Sequence, residues 1–190
     1  MCTRLPLLLA ALAFVFAAPA TAQNSPDAIT MAEVESAQQA WGEGIVAIGQ
    51  AYTNNQDYRA RATEHILQHY AYGANQTILF KPTLASEDQF RGDFAGALSY
   101  FVGTEGTEDG GFALAPYTDV RWENEGTVIS KDGQMAVAMG NYFFTGTDGN
   151  VTKVEYTFAY AKDRNGDLEI VLHHSSLPFN PSPVETASAQ

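Results

Sequence analysis

Apolar residues recur every three or four positions along the first part of the chain, from Ile29 to Tyr52. This spacing predicts an amphipathic helix that buries one face. The polar run Asn54–Asp57 interrupts the pattern, and Asp57 is a suitable N-cap for a second helix that runs to Tyr70. The chain is therefore predicted to open with two helices.

Two shorter elements are predicted after these helices. Residues 78–80 are apolar and stop before Pro82, which indicates a short strand. Ser86 and the polar residues directly after it predict the start of a third helix that runs to about Tyr100. A glycine-rich acidic loop over residues 103–111 then separates the helical part from the rest of the chain.

Beyond this loop, the chain alternates between segments typical of strands and turns. Turn sequences rich in glycine, asparagine and aspartate separate four such segments. The predicted strands are Asp119–Ile129, Met135–Thr145, Val151–Ala161 and Leu168–Ser176. Helices followed by antiparallel strands indicate an α+β fold, in which a curved antiparallel sheet packs against the N-terminal helices.

The N-terminus has the composition of a secretory signal peptide. Arg4 precedes the apolar run Leu5–Ala18, and Ala20–Ala22 offers a small-residue cleavage site. The run is shorter than the roughly 20 residues of a bilayer-spanning helix, and a membrane anchor is the alternative interpretation. We predict that residues 1–22 are the signal, that residues 23–180 form one domain and that residues 181–190 form a flexible tail.

Composition and charge limit which cellular compartment and which classes of binding partner the protein can have. The single cysteine, Cys2, lies inside the predicted signal, so the mature chain has no disulfide and no thiolate. Export without disulfides is consistent with a bacterial periplasm. The chain has 10 lysine and arginine residues against 22 acidic residues, a formal charge of -12. This charge argues against a nucleic-acid partner and, once the signal is removed, against binding to an anionic membrane.

The four histidines are the candidate metal ligands and proton carriers. His65 and His69 are one helical turn apart and could bind a metal ion. A catalytic zinc site normally has three protein ligands, so helix packing or surface exposure is the alternative role for this pair. In the last predicted strand, alternation turns His173 and Ser175 to one face and His174 to the other. Either the first two line a cavity that supplies a partner, or the strand end is hydrated.

Six sequence motifs occur in order along the chain. They are Ile78–Thr83, Ser99–Gly103, Gly110–Ala113, Ala138–Phe144, Val154–Phe158 and His173–Pro178. Together they resemble the iota-class carbonic anhydrases, a family built on the calmodulin-dependent kinase II association domain, within the nuclear-transport-factor-2-like superfamily. The resemblance covers about residues 34–180. The family's longer final motif has a third histidine where this chain has Leu172, which weakens any metal role for the motif.

The resemblance implies a fold, an activity and a set of site residues. The fold is a cone-shaped curved sheet around helices, and the activity is the reversible hydration of carbon dioxide to bicarbonate. The groups implied to hold bicarbonate are Thr83, Tyr100, His173 and Ser175, and the implied assembly is a homodimer. Some members use zinc or manganese and others use no metal. Because the mature chain lacks cysteines and a three-histidine cluster, we expect no cofactor, with zinc or manganese as the alternative.

The mechanism expected from these residues uses hydroxyl groups and one imidazole. A water molecule would be held by Ser175 and Thr83 and oriented by Tyr100. His173, with a pKa near its ordinary value of about 6.5, would accept or orient the proton. Hydroxyls and imidazole would then stabilise the charge that develops as bicarbonate forms.

Charged residues and other functions complete the expectations. Glu155 and Arg121, on neighbouring predicted strands, are candidates to supply supporting charges to the site, although spacing alone does not place them. The competing function is a non-catalytic exported module for binding or oligomerisation, because a fold does not dictate a function. Isomerase or hydrolase activity in the same pocket is a third alternative.

Overall fold

The computed structural model describes residues 28–74 and 78–180. The predicted signal peptide, residues 1–22, and the predicted tail, residues 181–190, lie outside these residues and stay predictions. The elements in chain order are α1 (Met31–Thr53), α2 (Tyr58–His69), β1 (Leu79–Lys81), α3 (Phe94–Val102), β2 (Tyr117–Ile129), β3 (Met135–Gly146), β4 (Val151–Lys162) and β5 (Leu168–Ser176). None of the helices in the described ranges combines the length and the apolar character that crossing a bilayer would take.

The first two helices begin at side-chain caps. Thr30 and Glu33 form a capping box at the start of α1, in which each side chain bonds the backbone N–H of the other residue. The Asp57 carboxylate accepts the N–H of Ala60 at 3.0 Å and so caps α2, as the sequence predicts. These caps fix where each helix starts. The apolar face of α1 packs against the sheet, whereas α2 packs mainly against the other helices.

The third helix starts later than predicted. Its N-cap is Asp93 rather than Ser86, and α3 covers only Phe94–Val102. The reason lies in the preceding segment, because Arg91 N–H donates to the Phe80 carbonyl at 2.8 Å. The chain at this point runs beside β1 in hydrogen-bonded contact, so a helix can begin only after it.

The five strands form one sheet in the order β1-β5-β4-β3-β2. Strands β2 to β5 are a continuous antiparallel meander, and their bounds agree with the predicted ones to within two residues. The predicted antiparallel arrangement is observed for these four strands, and at one edge of the sheet the short strand β1 pairs in parallel with β5. Register shifts near Asn124 and near Ala159 are bulges, which bend strands and increase the curvature of the sheet.

Helix α1 lies against the inner face of this sheet with Trp41 at the centre of the contact. The Trp41 ring meets aromatic side chains of β2, β3 and β4 at centroid distances of 5.7 to 6.5 Å. Gly42 allows this close approach, because a Cβ at that position would lie 3.0 Å from the Cβ of Val120. Every second residue of β5 points to the same inner face, and His173 is one of the residues that face the helices.

Candidate active site

Strand β5 separates its polar residues by alternation. His173 and Ser175 are 2% and 3% exposed and face the helices, whereas His174 is exposed on the opposite face. The register supports this division, since His173 pairs with Phe80 of β1 and with Phe158 of β4, both fully buried. The predicted facing of this strand is observed, and the alternative of a hydrated strand end does not apply to its inner residues.

Thr83 and Tyr100 reach the same place from other parts of the chain. Thr83 follows β1, and its hydroxyl donates a hydrogen bond of 2.9 Å to Ser175 Oγ. Tyr100 lies on α3, and its hydroxyl accepts the N–H of Leu84 at 3.3 Å. All four residues implied by the resemblance therefore line one cavity.

This cavity is small and largely apolar. It has a volume of about 80 Å³, which corresponds to two or three water molecules. Its remaining lining is mainly aromatic and aliphatic, including Trp41, Phe112, Phe144 and Val154. Larger grooves of about 670 and 800 Å³ are open to the surface. We take the small cavity as the candidate site because only it collects buried hydroxyls and an imidazole among the described residues.

The imidazole of His173 is held on one side and free on the other. Its Nδ1 lies 2.8 Å from the hydroxyl of Tyr70, and that hydroxyl in turn accepts the indole N–H of Trp41 at 3.0 Å. The ring is enclosed by Phe80 and Phe158, at centroid distances of 4.6 and 4.0 Å. Its Nε2 is buried and has no partner among the described residues. A buried polar atom without a partner indicates a place where a ligand or a water molecule binds.

The expectation of an ordinary pKa for His173 is wrong. Burial lowers the pKa of His173 well below the usual value of about 6.5, because the enclosed site disfavours the charged imidazolium. The neighbouring His174 acts in the same direction. His173 is therefore neutral at pH 7, and its capacity to take up a proton is small.

Two tyrosine hydroxyls of the cavity also stay protonated at neutral pH. Burial raises the pKa of Tyr100 to about 12. Burial also raises the pKa of Tyr142, which lines the same cavity as Ser175 and Thr83. A site in which every group is neutral has donors for a forming anion but no positive charge on a side chain.

Three functional candidates were missed by the sequence reasoning, namely Trp41, Tyr70 and Tyr142. Trp41 and Tyr70 lie at helical apolar positions, which are indistinguishable from core positions in the sequence. Tyr142 had a usable signal, because it shares the inward parity of Ala138 and Phe144 on β3. Its position near Ser175 depends on strand order, which periodicity does not give.

The supporting charges predicted from Glu155 and Arg121 are not at the cavity. Both side chains lie on the exposed outer face of the sheet. Glu155 accepts the hydroxyl of Ser176 at 3.0 Å, and Arg121 pairs with Glu123 at 2.5 Å. Alternation explains this result, since both residues have the opposite parity to the inward residues of their strands.

His65 and His69 are buried in the packing of the helices. Their ring centroids lie 4.6 Å apart, and the His65 ring also contacts Trp41 and Phe101. Burial lowers the pKa of His65 well below its usual value and that of His69 to about 4. Within residues 28–74 and 78–180, no three histidine, cysteine or acidic residues are grouped so that they could hold a metal ion. The helix-packing alternative therefore describes this pair.

Comparison with known proteins identifies the family. The model of the metal-independent carbonic anhydrase family matches residues 32–177. A metal-independent carbonic anhydrase of Nostoc sp. strain PCC 7120 is 44% identical over 156 residues, which cover 80% of this chain and 75% of the relative. The crystal structure of a cyanobacterial iota-carbonic anhydrase complexed with bicarbonate has a TM-score of 0.77 and 41% identity, covering 82% of this chain and 96% of that one.

A more distant match bears on the fold alone. A putative calcium/calmodulin-dependent protein kinase II association domain from Xanthomonas campestris has a TM-score of 0.54 at 22% identity, covering 80% of this chain and 91% of that one. The α+β fold implied by the resemblance is thus confirmed. Because the family model matches most of the chain, this protein belongs to the metal-independent, iota-class carbonic anhydrases, which hydrate carbon dioxide to bicarbonate without a metal cofactor.

Proposed function

We propose that carbon dioxide is hydrated in the 80 Å³ cavity, with Thr83, Tyr100, His173 and Ser175 as the groups that hold water and bicarbonate. The main support for this proposal is the buried, unpartnered Nε2 of His173, a residue that lines the same cavity as the hydroxyls of Thr83 and Ser175. The solved cyanobacterial relative was crystallised with bicarbonate, which supports an anion of this size as the ligand.

The two kinds of lining suit the two states of the reaction. Apolar side chains such as Phe144 and Val154 accommodate carbon dioxide, which carries no charge and no hydrogen-bond donor. Hydroxyl and imidazole N–H groups favour the bicarbonate-like charge that appears as the reaction proceeds. The cavity is therefore more complementary to the transition state than to the substrate.

The chemical step forms one bond and breaks two. The oxygen of a bound water attacks the carbon of carbon dioxide, and one carbon–oxygen π pair moves onto an oxygen. One O–H bond of the water breaks, and its proton leaves for solvent. Ser175 lies next to the attacking water, and the half-buried Thr83 connects it to the cavity's edge. Catalysis without a metal then depends on holding the two reactants together and on stabilising the new charge.

The test is a stopped-flow assay of carbon dioxide hydration with a pH indicator, on the purified mature chain after exhaustive chelation. We expect a rate well above that of buffer, and elemental analysis should find well under one metal ion per chain. No rate above buffer from a folded protein would favour the non-catalytic binding module. Loss of activity on chelation, restored stoichiometrically by zinc or manganese, would contradict the metal-free mechanism.

The outer face of the sheet supports a homodimer as the working assembly. Directly opposed residues of the five strands form an apolar row across this face, which consists of Leu79, Leu172, Ala159, Val137 and Val128. Leu79 and Val128 are 64% and 71% exposed. Val137 is 38% exposed, and Ala159 in the middle of the row is 5% exposed. Exposed apolar side chains aligned on one face are typical of a surface that a partner covers, and we propose a second copy of this chain as that partner.

Size-exclusion chromatography with light scattering tests the homodimer, because it measures the molar mass of the protein in solution. We expect the mass of two chains, and Val137→Glu combined with Val128→Glu should give one chain with unchanged far-UV circular dichroism. Leu67→Glu is the matched control, since Leu67 is 51% exposed on α2, away from the sheet. A monomeric parent protein would contradict the proposal.

Export of this protein to a bacterial periplasm also belongs to the proposal. Its basis is the sequence of residues 1–22 together with the lack of cysteine beyond Cys2. Fractionation of expressing bacteria, with the N-terminal sequence of the recovered protein, tests it. Recovery of a chain that starts at Gln23 from the periplasm is the expected result, and an uncleaved cytoplasmic chain would contradict it.

A further inference from the structure

We infer that Trp41 and Tyr70 are positioning residues that fix the protonation of the His173 ring, so that His173 presents Nε2–H to the reacting oxygens and acts as a hydrogen-bond donor. The inference deepens the proposed function, on which it rests for the identity of the ligand. It assigns a role to two residues outside the set that the resemblance implies.

The Tyr70 hydroxyl has two hydrogen-bonding neighbours. An indole nitrogen is a donor only, so the Trp41 N–H, 3.0 Å away, must donate to the Tyr70 oxygen. The other neighbour is Nδ1 of His173, 2.8 Å away. The hydroxyl has a single proton, and among the described residues Nδ1 is the one acceptor that it meets.

The reverse arrangement, in which His173 Nδ1 carries the proton and donates it to the Tyr70 oxygen, is unfavourable. If Nδ1 carried the proton, the Tyr70 oxygen would accept two bonds, and its own proton would be buried without an acceptor. Leaving a buried donor unsatisfied costs about 1 to 3 kcal/mol. The hydroxyl therefore donates to Nδ1, and the neutral ring carries its proton on Nε2.

The orientation of the His173 imidazole is also fixed by its surroundings. A 180° flip of the imidazole would turn a C–H group towards the Tyr70 hydroxyl and lose that hydrogen bond. The ring also stacks on Phe80, with an interplanar angle of 23°, and its centroid lies 4.0 Å from that of Phe158. Packing and hydrogen bonding thus favour one orientation, in which Nε2 faces the position that lacks a protein partner.

The consequence for catalysis is a division of roles. The lone pair of Nδ1 is occupied by Tyr70, and Nε2 bears a proton, so His173 has no free lone pair with which to accept the proton of water. It can instead donate to the oxygen on which negative charge develops, as an oxyanion-hole donor does. The proton released from water then leaves along the hydroxyl side of the cavity, where Ser175 and Thr83 lie.

Histidine-selective ¹⁵N nuclear magnetic resonance of the complete mature protein tests this inference directly. Long-range correlations distinguish a protonated ring nitrogen from an unprotonated one, and the His173 signals are assigned by their loss in His173→Gln. We expect Nε2 protonated and Nδ1 unprotonated at pH 7. A proton on Nδ1, or on both nitrogens, would overturn the inference.

Activity measurements on Tyr70→Phe give a second test, and Tyr72→Phe is the matched control. The Tyr72 hydroxyl is also buried and donates to a backbone carbonyl, that of Arg91, at 2.7 Å. Tyr72→Phe loses one buried hydrogen bond and Tyr70→Phe loses two, and only Tyr70→Phe frees Nδ1. We expect Tyr70→Phe to populate the Nδ1-protonated form and to lower kcat/KM about tenfold, the value of one hydrogen bond. Tyr72→Phe should change neither.

The outcomes separate this inference from the proposed function. An unchanged tautomer and an unchanged kcat/KM in folded Tyr70→Phe would overturn the positioning role. If Tyr70→Phe does not fold, the measurement on the parent protein still decides the tautomer. A parent protein with the expected tautomer but no hydration activity would contradict the proposed function and leave the assignment of the ring intact.

Discussion

Two buried histidines contact the ring of Trp41, and they differ in what surrounds them. His173 and His65 are 2% and 4% exposed, with ring centroids 5.7 and 5.9 Å from that of Trp41. Burial lowers the pKa of both imidazoles well below the usual value, and both have a buried Nε2 without a partner. By these measures the two residues are equivalent candidates.

The difference lies in space and in the second ring nitrogen. His65 packs so closely on Gly44 that a Cβ added to the glycine would lie 2.1 Å from Nδ1. His173 instead lines a cavity with hydroxyl groups, and its Nδ1 is held by Tyr70. Burial and a lowered pKa therefore mark a polar group in the core. A histidine that can act on a ligand also needs space for that ligand and a ring proton in a fixed position, and His173 meets both conditions.

Replacement of each histidine by leucine should give the largest difference in activity between the two positions. His173→Leu removes a donor to the developing charge, and loss of one such donor costs about 10² to 10³ in rate. His65→Leu removes a ring of similar size that faces no cavity, so hydration should stay within about twofold of the parent rate. Stopped-flow hydration assays, with thermal unfolding to confirm the fold, measure both.

The comparison would fail in a specific way. A large loss of activity in folded His65→Leu, with His173→Leu nearly unchanged, would transfer the catalytic role to the other imidazole. His173→Gln sharpens the test, because a glutamine amide N–H can replace the Nε2–H donor, whereas leucine cannot. We expect glutamine to retain more activity than leucine.

The hydroxyl side of the cavity is expected to give the next largest effect. Ser175→Ala removes the acceptor of the Thr83 hydroxyl and a contact to the bound water, and it should lower kcat about 10- to 100-fold. Ser176→Ala is the matched control on the same strand, since Ser176 bonds Glu155 on the outer face and should leave kcat unchanged. Equal loss in both variants would indicate damage to the strand rather than to the site.

Acid should destabilise the protein through its buried histidines, including His65, His69 and His173. Their pKa values are lowered in the folded state, to about 4 for His69, whereas in the unfolded chain they return to about 6.5. Below pH 6.5 the unfolded state binds more protons, so the free energy of unfolding falls as the pH falls from 6.5 towards 4. Each histidine contributes about 1.4 kcal/mol per pH unit in this window.

Urea denaturation at pH 7.5, 6 and 5 measures this slope. His65→Leu removes one of the three titrating groups while the carboxylates stay the same, so its free energy of unfolding should fall less steeply than that of the parent. Parallel curves for the two proteins would show that His65 is not held neutral by the fold. His65→Leu thus also tests whether burial keeps His65, which lines no cavity, in its neutral form.

Local patterns in the sequence predict the sheet well and the site only in part. The turn at residues 163–167 and the apolar run after it are enough to place β5. Because side chains on a strand have only two directions, His173 and Ser175 then share one face. The start of α3 fails, since Arg91 is held beside β1 by a bond that the local sequence does not show.

The rest of the site depends on contacts between distant parts of the chain. Tyr70 lies 103 residues before His173, and neither its partner nor the enclosure that lowers the pKa of His173 can be derived from spacing. The positions of Thr83 and Tyr100 were accessible only through the resemblance to a family. Tertiary contacts, and not local propensity, thus determine the chemistry of the cavity.

The smallest expected effect is at His174, the neighbour of His173 on the same strand. His174 is exposed on the outer face, where its backbone pairs with Lys81 and Thr157, and it does not line the cavity. His174→Ala should therefore keep hydration within about twofold, with a stability change of no more than about 0.5 kcal/mol. A loss of rate comparable with that of His173→Leu would show that the catalytic face of β5 is the outer one. The same stopped-flow assay decides this, because the two substitutions are one residue apart and differ chiefly in the face of the sheet that they change.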